Sequence, residues 1–226
     1  MNLLAVDTAT EKLSIALLAN EDIWLFEADA GLRHSELVME TVDMLFKKAA
    51  LKPEDLSGIV CMGGPGSFTG LRIGFSLAKG LALALGCGFA AIPTLDCMAK
   101  PLSSLKGLVM PVLDAKKSSF FCALYKDGVK ICADMDAGPA EIASVIASQE
   151  TKQVLLFGPG ADMLHGKLTQ LPQNPSAPLS ATDIVLGKGL RWGNAQTLLE
   201  IARETDIFAN SVTDFSAGPE YIRKSV

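Results

Sequence analysis

Gly63-Gly64-Pro65-Gly66-Ser67-Phe68-Thr69-Gly70-Leu71-Arg72-Ile73-Gly74 stands between an apolar run, Ile59-Val60-Cys61-Met62, and an almost wholly apolar helix that reaches Gly86. A strand ending in clustered glycines at a helix start leaves backbone N–H groups free at the positive end of the helix dipole. Two readings follow: an anion cradle, or a turn too tight for side chains. No Lys-Ser/Thr pair follows the glycines at the offset of a Walker loop. Gly64-x-Gly66 is followed by Thr69 and then Gly70, which is not the dinucleotide spacing. Glycine counting alone favours close strand-to-helix packing.

Upstream of this stretch, Leu3-Leu4-Ala5-Val6 is a short buried strand and Asp7-Thr8-Ala9-Thr10 a turn. Residues 13–18 and 23–28 read as two further strands joined by Asn20-Glu21-Asp22. Residues 35–51 read as a helix with Ser35 at its N-cap, and residues 71–85 as a second, interrupted only by Arg72, Ser76 and Lys79. Residues 89–92 close the first half as a strand. Three hairpin-linked strands followed by helix-crossed strands make a mixed sheet, its later strands parallel. The fold class is therefore α/β.

The two helices are more apolar than a single sheet contact requires, since one such contact needs a stripe of about 100°. Either a second partner covers them or both are buried within the chain, and the pattern weighs these evenly.

Downstream, Pro101-Leu102-Ser103-Ser104 is a candidate boundary dividing lobes at 1–100 and 101–226, with return of the last residues to the first lobe left open. Strands over 108–113, 120–125 and 129–133, a helix over 139–148 and a strand over 154–157 repeat the earlier order without evident sequence identity. Residues 172–178 read as an irregular loop, and residues 182–207 as one long helix capped by Thr182 or Asp183.

The chain has 226 residues, 49% apolar and 20% charged, with a net charge of −5. That balance suits a globular core and argues against strong binding to nucleic acid by the chain alone. Five cysteines form no CxxC pair, as expected of buried thiols in a reducing cytoplasm. The first residues carry no basic n-region, so no signal peptide is expected, and no apolar run is expected to span a membrane. His34 and His165 lack ligand spacing, so neither a protein-bound metal nor a catalytic group is assigned. Asp7 and Thr8 could contact phosphate or a metal-bound water, although a turn whose Asp caps its own backbone is favoured. Asp114-Ala115-Lys116-Lys117 is either a solvated turn or a site for a phosphate or an acidic partner.

Two tandem units of this kind resemble the actin-like ATPase (ASKHA, ribonuclease H-like) architecture of sugar kinases and acetate kinase. Gly64 to Gly74 resembles the signature of the TsaB (YeaZ) family. Leu4 to Thr10, His34-Ser35-Glu36, Pro111 to Lys117 and Pro219-Glu220-Tyr221-Ile222-Arg223 resemble further family segments, with lysines in place of arginines at 116 and 117 and Ser118-Ser119 where the family commonly has an acid. TsaB proteins are non-catalytic paralogues of TsaD, which transfers a threonylcarbamoyl group to adenosine 37 of tRNAs reading ANN codons.

The resemblance implies several things. This chain would pair with TsaD as a scaffold, with TsaE as a third, ATPase component, and would touch tRNA only indirectly. It would form a homodimer in isolation. No cofactor would be bound by the chain alone, with ATP a candidate only in the complex with TsaD and TsaE. Where the catalytic paralogue has a His-x-x-x-His metal pair, this chain has Thr94 and Met98. Asp7, Thr8, Gly64, Gly66 and Ser67 would be vestigial phosphate-loop residues. The interface would lie on Leu37, Val38, Thr41, Met44, Leu45, Leu71, Phe75, Ala78, Leu81 and Ala82. The alternative is an actin-like-fold enzyme, either a small-molecule kinase or a protease.

Overall fold

Strand β1 (Leu3–Asp7) is buried along its whole length. It pairs antiparallel with β2 (Lys12–Ala19) and parallel with β4 (Gly58–Gly64). A strand buried on both faces reads as a continuous apolar run, which is why Leu3 to Val6 and Ile59 to Met62 show no alternation. β3 (Asp22–Asp29) extends the sheet beyond β2, and β5 (Gly88–Pro93) extends it beyond β4, giving the order β3-β2-β1-β4-β5. The computed structural model describes residues 1–149, 151–171, 183–188, 193–205, 207–208, 216 and 218–222.

Helices α1 (His34–Ala49) and α2 (Phe68–Leu85) cover one face of this sheet, burying Val42, Leu45, Phe46, Phe75 and Ala78 against Leu4, Ile15 and Ile59. The short α3 (Thr94–Ala99) follows β5. The opposite face is covered by α6 (Ala195–Glu204), whose Leu198, Leu199 and Ala202 lie over Leu3, Ala16 and Val60.

The intervening chain repeats the plan. It runs β6 (Leu108–Asp114), β7 (Phe120–Lys126), β8 (Val129–Ala137), α4 (Pro139–Ala147), β9 (Gln153–Phe157), α5 (Ala161–Thr169) and β10 (Asp183–Leu186). Its sheet, β10-β9-β6-β7-β8, is the first order read from the other edge. Its core joins Met110, Val112 and Phe120 to Ile142, Ile146 and Leu164. The duplicated order with crossing helices is the actin-like architecture. The compact units are Met1–Cys97 with Trp192–Tyr221, and Met98–Arg191 with Ile222–Val226.

Three expectations are corrected. Ser35 is not the cap of α1: Arg33 holds that place without a side-chain cap bond, and Ser35 lies inside the first turn. Helix α2 begins at Phe68, three residues before Leu71, because Ser67 Oγ accepts the Gly70 N–H at 3.2 Å and caps it. Residues 182–207 are not one helix. Ile184 and Val185, both β-branched, pair parallel with Val154 and Leu155 in a strand, and the helix begins only at Ala195. Thr182, the loop at 172–178 and Arg223 lie outside the described residues.

The expectation on apolar runs is also corrected. Among the described residues α2 is the one helix long and apolar enough to cross a membrane, with mean hydropathy 1.3 over 18 residues. Its core contacts with the sheet fit a helix of a folded domain.

Candidate functional site

The loop between β4 and α2 is shaped by the loop between β1 and β2. Ser67 N donates to the Ala9 carbonyl at 2.7 Å, and Thr8 Oγ1 donates to the Gly70 carbonyl at 2.7 Å. A Cβ at Gly66 would sit 2.6 Å from the Ala9 carbonyl oxygen, and one at Gly70 would drive into the Thr8 carbonyl oxygen. Of the two readings of the glycine cluster, the geometry favours close packing, because backbone of one loop fills the mouth of the other.

Asp7 is fully buried in the same joint. Its Oδ1 accepts the Ala9 N–H at 2.9 Å, closing an Asx turn. Its Oδ2 accepts from Asn194 twice, from the backbone N–H at 3.1 Å and from Nδ2 at 2.9 Å. Burial raises the Asp7 carboxyl above its usual range. The hydrogen bonds from Ala9 and Asn194 and the charge of His34 offset only part of that rise. Ser14 Oγ accepts the Ala195 N–H at 3.3 Å and donates to Glu27 Oε1 at 3.2 Å. Asp7 and Ser14 thus hold the first turn of α6, where the helix dipole favours a carboxylate.

The structure therefore brings Asp7, Thr8, Gly66 and Ser67 together, and the side chains of Asp7, Thr8 and Ser67 bond to their own chain. Gly64 sits apart under the tail. At φ +113° it faces the Glu220 carbonyl, and Glu220 N donates to the Gly63 carbonyl at 2.7 Å. Beyond it, Tyr221 accepts from Arg72 Nε at 3.2 Å and its ring packs tilted against Phe68, centroids 5.0 Å apart, with the Arg72 guanidinium 3.8 Å from the Phe68 ring centre. Asn194 and Tyr221 were not singled out from the sequence as site residues. An Asn just before a helix was the available signal for the first.

Nucleophile and metal chemistry is sparse. Burial pushes the Cys61 and Cys122 thiols up to about 12, and raises Cys97 well above its usual range. Thr94 and Met98 are buried on α3, and Thr94 Oγ1 has no hydrogen-bond partner. Among the described residues no three His, Cys, Asp or Glu side chains group closely enough to hold a metal ion.

The expected interface needs correcting residue by residue. Val38, Thr41, Leu45, Leu71, Phe75, Ala78 and Ala82 are buried in the core of their own unit. Leu37 and Leu81 are half-buried, and Met44 is exposed. A helix apolar on nearly all sides does not reveal which side meets the sheet. The outward surface is instead Met39, Met44, Phe68 and Leu83, flanked by half-buried Ile73, Leu77 and Leu85. Of α2, 33% is buried, and its exposed positions are Phe68, Thr69, Arg72, Ser76, Gly80, Leu83 and Ala84, so its outward face is mixed, with Phe68 and Leu83 as its large apolar groups.

The family model described as TsaD, tRNA N6-adenosine threonylcarbamoyltransferase, matches residues 28–153. The TsaB of Bacillus subtilis, named a tRNA threonylcarbamoyladenosine biosynthesis protein, is 39% identical over 128 residues, 56% of this chain and 56% of that one. In that alignment the chain spans about half the length of its relative. The Haemophilus influenzae protein of the same name is 25% identical over 230 residues, 100% of this chain and 95% of that one. A Pseudomonas aeruginosa crystal structure, described as an uncharacterized protein with similarity to peptidase YEAZ, superposes with a TM-score of 0.75 at 25% identity. It covers 98% of this chain and 99% of its own. With a family match over more than half the chain, an end-to-end TsaB alignment and the YeaZ fold, the chain belongs to the TsaB (YeaZ) family.

Proposed function

We propose that this chain is a non-catalytic subunit that pairs with a TsaD-type threonylcarbamoyltransferase and supports N6-threonylcarbamoylation of adenosine 37 in tRNAs reading ANN codons. The observation that carries the reading is the outward face of α2, an 18-residue apolar helix of which one third is buried. Apolar surface left in water favours association by about 25 cal/mol for each Å² covered. Exposed Met39, Met44, Phe68 and Leu83, interspersed along α1 and α2 with polar Glu40, Asp43, Arg72 and Ser76, have the character of a protein-binding surface. The same face would support a homodimer when the partner is absent, by equivalent packing of the two helices.

The polar groups of the glycine joint support a structural role for it. Asp7 and Thr8 are committed to hydrogen bonds within the unit, so the reading assigns ATP to the assembly with TsaD and TsaE rather than to this chain. It also places the protein in the cytoplasm, with its tRNA substrate. No observation favours the kinase or protease alternative: the most buried thiols are held protonated, and no nucleophile–base pair stands out among the described residues.

The test is co-purification of the full chain with TsaD from the native cell, with tRNA modification measured in parallel. Recovery of TsaD, together with loss of threonylcarbamoyladenosine when the chain is depleted, is the expected result. Modification that persists in the depleted cell overturns the reading, as does turnover of Mg-ATP by the isolated chain.

A further inference from the structure

The hairpin that leaves the first strand is built alike in the two units. Asp7 Oδ1 accepts the N–H of Ala9 two residues on, at 2.9 Å, and Asp114 Oδ1 accepts that of Lys116 at 2.8 Å. The outcomes differ. In the first unit Asp7, Thr8 and Ala9 are buried, and Asn194 takes the second carboxylate oxygen. In the second unit that oxygen takes the Lys116 ammonium at 2.8 Å, and residues 116–118 stand exposed.

Lys116, Lys117 and Ser118 are also consecutive left-handed residues, with φ of 63°, 52° and 62°. Side chains other than glycine usually adopt this conformation singly, because Cβ crowds the following carbonyl. The turn is braced at its C-terminal end: Ser119 Oγ is hydrogen-bonded to Asp136, and Lys167 of α5 donates to Ser118 Oγ at 3.4 Å. Burial raises the Asp114 carboxyl, but hydrogen bonds from Lys116 and the charges of Lys116 and Lys167 outweigh it and hold Asp114 below its usual range. Lys116 and Lys167 therefore act on one ionised carboxylate, Lys117 stands exposed on the same turn, and Asp136 is turned toward Ser119.

We infer that the 116–118 turn, with Lys167, is a docking point for the phosphodiester backbone of RNA. The inference rests on the tRNA-modifying reading above and adds a direct contact to it. A projecting turn suits an extended polyanion, whereas a small anion needs a concave site. Ammonium groups act on phosphate as point charges and lack the fork with which arginine grips a carboxylate. The chain's net charge of −5 does not cancel the patch, because screening confines the interaction to about 8 Å at physiological salt. The contact is expected to add to binding by the assembly and to be weak in the chain alone.

The test uses the full chain in complex with TsaD and an unmodified tRNA transcript, with affinity followed as salt is raised. Lys117→Ala with Lys167→Ala should lower the slope of log affinity against log salt by about two and leave the melting temperature and the TsaD complex intact. Millimolar inorganic phosphate should not compete with the transcript beyond its ionic strength. An unchanged slope with an intact complex overturns the inference and leaves the scaffold reading standing. Specific competition by phosphate overturns it in favour of a small-anion site, and loss of TsaD from the variant overturns it in favour of a protein contact. Failure of the unaltered chain to pair with TsaD removes the scaffold reading and this inference with it.

Discussion

Asn194 gives both its backbone N–H and its side-chain amide to a single carboxylate oxygen of Asp7, across 187 residues of sequence. Asp7→Ala leaves those donors and the Ala9 N–H without their acceptor. Leaving buried donors without their acceptor costs about 1–3 kcal/mol, and a loss of about 2–3 kcal/mol is expected from chemical denaturation.

The same carboxyl gives a pH signature. Its folded value lies above the unfolded 3.8, with burial as the main cause. The folded state therefore keeps its proton to higher pH than the unfolded chain does. The stability this contributes is complete below 3.8, declines as pH rises through the folded value, and is constant beyond it. Relative to Asp7→Asn, which does not titrate, the wild type should lose stability across that window. Urea unfolding at a series of pH values measures the difference, and a gain with rising pH would contradict the assignment.

Two glycines of α2 should behave oppositely. Gly70→Ala forces a methyl into the Thr8 carbonyl, where neither backbone yields, and is expected to cost about 1–3 kcal/mol. Gly80 is exposed with open space around its Cα, so Gly80→Ala should stabilise by about 0.5–1 kcal/mol. Thermal melts of the two variants read the contrast.

On the face proposed for the partner, Leu83→Glu and Gly80→Glu alter exposed positions. They should preserve the fold while lowering TsaD recovery and self-association by tenfold or more, about 1.4 kcal/mol. Leu45→Glu instead places a charge in the core and should unfold the first unit. Size-exclusion chromatography and co-purification separate the two effects.

Thiol reactivity should follow burial. Cys61, Cys97 and Cys122 are buried, while Cys87 and Cys132 are half-buried. Brief alkylation of the native protein at neutral pH should label the latter two first. Mass spectrometry of the digest checks the order, and all five should react after denaturation.

The strands were legible where the sequence carries unbroken apolar runs, as at Ile59 to Met62, because sheets buried on both faces demand them. The duplication of the two units was legible in the order of elements. Other features were not. Glycines at 70 and 74 hide the first turns of α2, since they are set by the approach of Thr8 rather than by helix preference. Ile184 and Val185 joined a helical reading because a four-residue strand has too little periodicity to stand out. The pairing of Asp7 with Asn194 leaves no trace in spacing. The outward face of α2 carries Arg72 and Ser76, the interruptions visible in the sequence, yet Leu83 and Ala84 share it, so the pattern did not by itself separate the two faces.

The return of α6 to the first sheet has a consequence for biosynthesis. Leu3, Ala16 and Val60 form a platform covered by residues from Ala195 to Phe208, among them Leu198, Leu199 and Ala202. At about 5–20 residues per second, a ribosome needs on the order of 10 s to make the intervening segment. Throughout that interval the nascent chain shows a bare apolar sheet. Holding factors at the exit tunnel should bind it there, and translation stalled before residue 195 should leave an aggregation-prone intermediate.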